Sequence, residues 1–181
     1  MGEGYSEGVK LAVGDAVVYP AHGVGRVLAR ERRMVQGAMQ EVLVVELPEG
    51  LSVTLPIERA RGLLRPLLSE TDLGRVQETL REDHAPSSDV WLKRRKDTQV
   101  KLAGGDPLGL AEVVRDGALR ERRLVAKHNG SQLSTGERDL YRRARRLLSA
   151  EIGLAHGLDP VDADAWIEEQ LAPIASSTRP L

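Results

Sequence analysis

The 181-residue sequence contains no cysteine and no phenylalanine, and aromatic residues make up only 3% of it. Without cysteine there can be no disulfide, no thiolate nucleophile and no thiolate zinc site, a composition compatible with a reducing cytoplasm. With so few rings a core must be built from Leu, Val, Ile and Ala, so each of the two tryptophans, Trp91 and Trp166, stands out. No run approaches the roughly 18 apolar residues of a membrane-spanning helix, and the opening "MGEGYSEGVK" has neither the basic nor the apolar stretch of a leader. A cytoplasmic chain with no membrane partner is expected. Patterns of catalysis are also scarce. His22, His84, His128 and His156 are spread singly, with no HExxH and no His-x-His, and no metal is expected. Gly23 and Gly25 form a G-x-G, but position 28 is Leu and the segment opens a strand where a dinucleotide fingerprint must open a helix. Neither a P-loop nor a G-x-S-x-G elbow occurs. Asn129-Gly-Ser is a chance match to a glycosylation sequon in a chain read as cytoplasmic. No catalytic residue and no cofactor are expected.

What is present is ordinary in bulk, with 41% apolar and 29% charged residues, and uneven in detail. The net charge of −1 conceals a basic block: residues 91–146 carry 15 basic and 7 acidic groups, while 69–90 carry 2 and 6, 147–181 carry 1 and 6, and the first 68 carry 8 of each. Such a block suits a partner bearing phosphates. It equally suits amphipathic helices whose arginine faces are solvated.

Two halves differ in period. From 13 to 56, stretches such as "DAVVYP", "GVGRVLARERRMV", "QEVLVVEL" and "LSVTLP" are β-branched, short and bounded by Gly or Pro, with a turn at "QGAM" and another at "PEG". They predict antiparallel strands in a small, partly closed barrel. "PIERARGLLRPL" is expected to add a last short strand or a connecting turn. After Pro66 the period becomes helical, with starts at Ser69 with Asp72, about Asp89, Asp106-Pro107, Ser134 with Glu137, and Asp159-Pro160. The expected fold class is α+β: a flexible start over 1–10, a small, partly closed β-barrel over 11–67, an all-α five-helix domain over 68–173 and a disordered tail over 174–181. The expected state is monomeric.

The basic helices carry the functional signal. "VWLKRRK" sets Trp91 beside Lys93, Arg94, Arg95 and Lys96. If Leu92 and Leu102 mark the buried face of that helix, Trp91 lies at its edge, partly covered. In "ERDLYRRARRLLSAEI" a core stripe of Leu140, Ala144, Leu147, Leu148 and Ile152 turns Arg138, Arg142 and Arg145 to other faces. Trp166 is expected to be core. An exposed tryptophan forgoes about 2 kcal/mol of burial, and stacking on an unpaired base would recover roughly 1–3 kcal/mol, with neighbouring cations holding it there.

Several motifs together resemble one family. "VGDAVVYPAHGVGRV", Gly37 in the hairpin, "TLP" at 54–56, Trp91 followed by basic residues, "LAEVVRD" at 110–116 and "S.GE...Y.RAR.LL..E" over 134–151 are similar, in consistent order from about 11 to 172, to the CarD/CdnL family of RNA-polymerase-binding transcription regulators. The β module also occurs in transcription-repair coupling factors, whose helicase motifs are missing here. The resemblance implies a Tudor-like or SH3-like barrel over 11–67 that docks on the polymerase β subunit partly by strand-edge pairing, and a helical domain that sets a tryptophan into the minor groove at the upstream edge of the promoter bubble, stabilising the open complex. Trp91 falls on that tryptophan, Lys96 and Arg138 on basic positions that contact DNA, with Lys93, Arg94, Arg95 and Arg142 beside them. Arg33 falls on an interface arginine, flanked by Met34 and Val35; a second interface arginine is replaced here by Thr54. A cytoplasmic, nucleoid-associated regulator would follow. In the longer branch of the family this region is followed by an AT-hook tail that binds DNA, and it serves as an adaptor for polymerase and a zinc-binding partner protein; that alternative stands beside the first.

Overall fold

The computed structural model describes residues 11–83, 90–127 and 132–177, with side-chain surroundings through residue 172. His84, His128, the sequon at Asn129, Asp89 as a helix start, the segment 1–10 and the last four residues lie outside the described residues. The chain divides into two compact units, Met1–Leu67 and Leu68–Leu181.

The first unit is one antiparallel sheet in the order β1 (Ala16–Tyr19), β2 (Gly23–Val35), β3 (Ala38–Glu46), β4 (Ser52–Pro56), followed by helix α1 (Ile57–Leu63). Alternation places Val17, Val27, Leu43, Val45 and Leu55 on one face, where Ile57, Ala60 and Leu64 cover them. Gln36 and Gly37 form the two-residue turn between paired Val35 and Ala38, both with positive φ (50° and 83°), the backbone that matches the right-handed strand twist. A bulge between Val27 and Ala29 leaves Leu28 without a partner in the register, and pairing with β3 resumes at Ala29. The "PIERARGLLRPL" segment is neither of the two forms expected. It is a helix followed by one bridge, in which Val18 N donates to Arg65 O at 2.8 Å and Arg65 N to Val18 O at 3.1 Å, closing the outer edge of β1.

At Gly25 of β2 the end of β3 closes over the space a side chain would need. A Cβ there would lie 2.6 Å from Glu46 O and 2.9 Å from both Leu47 Cδ2 and Val45 Cγ1. Only a residue without a side chain fits.

The second unit contains α2 (Glu70–Arg81), α3 (Trp91–Gly104), α4 (Pro107–Ala126), α5 (Thr135–His156) and α6 (Pro160–Ser177), making six helices with α1 among the described residues. Four of the five starts, those of α2, α4, α5 and α6, carry the expected caps. Ser69 and Asp72 close a capping box, Asp106 accepts from Gly109 N at 2.9 Å, Ser134 and Glu137 close a second box, and Asp159 accepts from the amides of Val161 and Asp162 at 2.8 and 2.9 Å. Helix α4 is central: its Leu110, Ala111, Val114 and Ala118 meet Val76 and Leu80 of α2, Ala144, Leu148 and Ile152 of α5, and Ala163, Ile167 and Leu171 of α6 in one buried cluster. Trp166 is half-buried at its margin rather than inside it. The backbone of α6 continues to Ser177, beyond the boundary expected at 173, since Ala and Ser after Pro173 interrupt no helical hydrogen bond. Two charged side chains are buried with partners: Arg115, whose Nη1 donates to Glu82 Oε2 at 2.6 Å and whose Nε donates to Asp116 Oδ1 at 2.9 Å, and Glu151, whose Oε1 accepts from Leu68 N at 2.9 Å. Each buried charge meets an opposing charge or donor, without which it would be strongly destabilising.

Candidate functional site

Helix α3 begins at Trp91 with Val90 as its N-cap, a residue that offers no side-chain acceptor to the first turn. Its inward face is mostly polar. Arg94 and Lys101 follow Trp91 at helical spacing, each ion-paired, and Leu102 is the one buried apolar residue of the helix. Leu92, expected to mark the buried face with Leu102, is 71% exposed while Leu102 is 4% exposed. The helix is therefore rotated so that Trp91 lies inward at its start, half-buried, and Leu92 points to water beside Lys93, Arg95 and Lys96, all exposed.

The indole lies over the first turn of α5, where a Cβ added at Gly136 would stand 3.6 Å from Trp91 Cζ2 and 3.8 Å from Cη2. Arg94 Cζ is 6.0 Å from the centre of the indole ring, and Arg94 Nη2 donates to Glu137 Oε1 at 3.0 Å, with side-chain exposures of 12% and 15%. Arg120 of α4 brings its Nε to 3.1 Å from the same oxygen, near enough for the charges to attract but not aligned as a hydrogen bond. Next to this cluster is a cavity of about 70 Å³ between α3, α4 and α5, lined among others by Trp91, Arg94, Leu133 and Tyr141. Tyr141 packs so closely on Gly117 that a Cβ there would meet its ring at 2.5 Å.

The other expected cations divide into two groups. Arg94 faces inward, and Arg138 binds back to its own loop, donating to Gln132 Oε1 at 2.8 Å and Leu133 O at 3.4 Å. Arg145 pairs with Asp164 at 2.5 Å, with Glu168, and with Tyr141 Oη at 3.2 Å. Its pKa is raised, first by the Asp164 hydrogen bond and, against the effect of burial, by Glu168 and Tyr141. Lys93, Arg95, Lys96 and Arg142 are exposed.

Burial alone would raise the pKa of Glu137, but hydrogen bonds from Arg94 and from the side chain and amide of Ser134, with the charge of Arg120, hold it below the ordinary 4.5. The unfolded chain thus binds the proton more readily than the folded one. The stabilisation is fully present above pH 4.5 and is lost as pH falls through the lower folded value. Thermal unfolding should therefore show a gap between the parent and Glu137→Gln at neutral pH that narrows as the pH is lowered below 4.5; a constant gap would show that charge has no part in it.

On the first unit, the expected docking residues lie on the β2–β3 hairpin. Arg33 faces Gln40, Met34 faces Met39 and Val35 faces Ala38 across the ladder. Met34 is 66% exposed and Met39 52%, an apolar pair that only the strand register reveals. Arg33 Nη2 pairs with Glu31 Oε1 at 2.5 Å. Because β1 pairs with β2 only as far as Arg26, the β2 edge from Ala29 to Val35 has no second strand among the described residues. Thr54 is exposed on β4, opposite Val44 at the far side of the sheet, apart from Arg33.

His22 is exposed and stacked on Tyr19 with ring centroids 4.8 Å apart, and His156 is half-buried on α5. Among the described residues no group of three or more His, Asp or Glu side chains is placed to hold a metal ion, and no helix is long and apolar enough to cross a membrane.

Comparison with known proteins agrees with this division. The family model for the CarD-like/TRCF RID domain matches residues 11–68, and that for the C-terminal domain of CarD matches residues 75–168. The chain is also similar to the Bacillus subtilis (strain 168) protein named "Putative transcription factor YdeB", with 24% identity over 148 residues, covering 81% of this chain and 92% of that protein. With both domain models matched in order, one to the sheet and one to the helices, the chain belongs to the CarD/CdnL family of transcription regulators.

Proposed function

We propose that this protein is a non-enzymatic regulator that docks on the RNA polymerase β subunit through the free edge of β2, centred on Arg33, Met34 and Val35, and acts at the promoter through the head of α3. The observation that carries this reading is the setting of Trp91: a half-buried indole at a helix start whose N-cap, Val90, makes no side-chain cap bond, beside three exposed cations, Lys93, Arg95 and Lys96. An exposed strand edge can take a further strand from a partner, and the exposed thioethers of Met34 and Met39 provide an adaptable apolar surface beside it. Tethering by polymerase raises the local concentration of the helical unit at the promoter, so weak DNA contacts suffice to slow closing of the open complex. Trp91 supplies the apolar wedge, and Lys93, Arg95, Lys96 and Arg142 the phosphate contacts. The chain acts as a monomer in the cytoplasm, at the nucleoid.

Arg33→Glu is expected to weaken capture of the isolated polymerase β lobe by roughly tenfold, by reversing a charge at the contact. Capture at the parental level by a folded variant would remove Arg33 from the interface. The inward pairing of Arg94, Arg138 and Arg145 favours a second reading, in which the helical unit is an adaptor for other proteins, including a zinc-binding partner, and DNA is held elsewhere. The two differ in salt dependence. Four phosphate contacts made with polymerase present would give a log–log slope of about −3 to −4 for the added affinity on forked promoter DNA, and an adaptor a slope near zero.

A further inference from the structure

We propose that Glu137, in the first turn of α5, is the positioning residue for Trp91 and acts through Arg94. The inference rests on the promoter-facing role given to Trp91 above and adds the element that holds its ring in place.

Trp91 is the first residue of α3, a position where helices fray, and its N-cap Val90 contributes no side-chain bond to restrain it. Two neighbours of the indole among the described residues lead to the start of α5. Gly136 lies beneath the ring, near enough that a Cβ there would be in ordinary van der Waals contact with it. Arg94, one turn along α3, provides the cover, with Cζ 6.0 Å from the ring centre. That distance is at the outer limit of a cation–π contact, so Arg94 restrains the ring only if its own long side chain is fixed. Glu137 fixes it, with the 3.0 Å hydrogen bond from Arg94 Nη2.

The carboxylate is itself held at several points. Its Oε2 accepts from Ser134 N at 3.2 Å and from Ser134 Oγ at 2.9 Å, and its Oε1 has Arg120 Nε at 3.1 Å. One residue thus caps α5, neutralises cations from α3 and α4, and locks the guanidinium that covers the indole. The cavity beside Trp91 gives the purpose of the lock, because a ring released from Arg94 has open space on one side rather than packed neighbours.

Capping and positioning can be separated. Glutamine at this place can still complete a capping box but cannot hold Arg94 by charge. Ser134→Ala removes the cap and leaves the Arg94 pair. In a Trp166→Tyr background Trp91 is the single tryptophan, and acrylamide quenching of its emission reads the freedom of the ring. Glu137→Gln and Arg94→Met are each expected to raise the quenching constant about twofold, while Ser134→Ala lowers the melting temperature and leaves quenching unchanged. Unchanged or lower quenching in Glu137→Gln, or an equal rise in Ser134→Ala, overturns the proposal. With polymerase and promoter, Glu137→Gln should shorten open-complex lifetime when Trp91 is present and have no added effect in Trp91→Ala, because the two act in series; independent, additive effects overturn it. If Trp91→Ala itself leaves the lifetime unchanged, the promoter role fails, and the quenching series still decides whether Glu137 positions the ring.

Discussion

Trp91→Ala is expected to shorten the lifetime of the polymerase–promoter open complex by about five- to a hundred-and-fortyfold, while capture of the β lobe stays at the parental level. The size follows from the worth of one aromatic–base stack, roughly 1–3 kcal/mol, at about tenfold per 1.4 kcal/mol. The whole effect is expected in the closing rate, since in the proposed role the ring would contact DNA only once the strands have parted. Packing is affected as well, because the indole covers Gly136 and lines the cavity between α3, α4 and α5. Trp91→Tyr separates the two contributions: it keeps a ring at the surface and should retain part of the lifetime. A parental lifetime for a folded Trp91→Ala protein that still binds polymerase would end the wedge reading.

Gly25→Ala should be the most damaging single methyl in the sheet, destabilising the first unit by about 3 kcal/mol, the upper end for overpacking. The added carbon would meet Glu46 O at 2.6 Å, and a backbone oxygen in a paired strand cannot turn aside as a side chain can. Leu47 and Val45 close the remaining directions at 2.9 Å. A domain of this size has on the order of 5 kcal/mol of stability in all, so β-lobe binding should be lost with the fold, and chemical denaturation of the variant should show an early transition for the sheet and a parental one for the helices. A single unshifted transition would show that β2 and β3 move apart at little cost.

Much of this was legible in the residues because it is local. The caps at Ser69, Asp106, Ser134 and Asp159 depend on one side chain reaching an amide two or three residues on. The Gln36-Gly37 turn depends on two dihedrals. The short helix α1 was hidden because its seven residues begin immediately after Pro56 at the end of β4 and fill too few turns to show a period. The site was harder to read. Apolar periodicity placed the buried face of α3 on Leu92, but what faces inward is Arg94 and Lys101, satisfied by Glu137 on α5 and Glu112 on α4. A polar face can be buried only when its partners arrive from other helices, and no window along one helix contains them. The Ser134–Glu137 box was visible from its spacing, while the use of the same carboxylate by Arg94 and Arg120 required the packed structure. The core stripe of α5 turned its arginines to other faces but did not reveal which of them would find partners: Arg138 and Arg145 are held within the unit and Arg142 is exposed.

The hairpin pairing of Met34 with Met39 has a chemical consequence. The chain has no cysteine and three methionines, so apart from Met1 all of its sulfur lies on this one exposed surface. An oxidant that converts thioethers to sulfoxides would find no thiol to consume it first and would turn an apolar patch polar without reaching either core. Thioether oxidation beyond Met1 would therefore be recorded at the hairpin, as a polar change beside the β2 edge, while both folded units keep their stability.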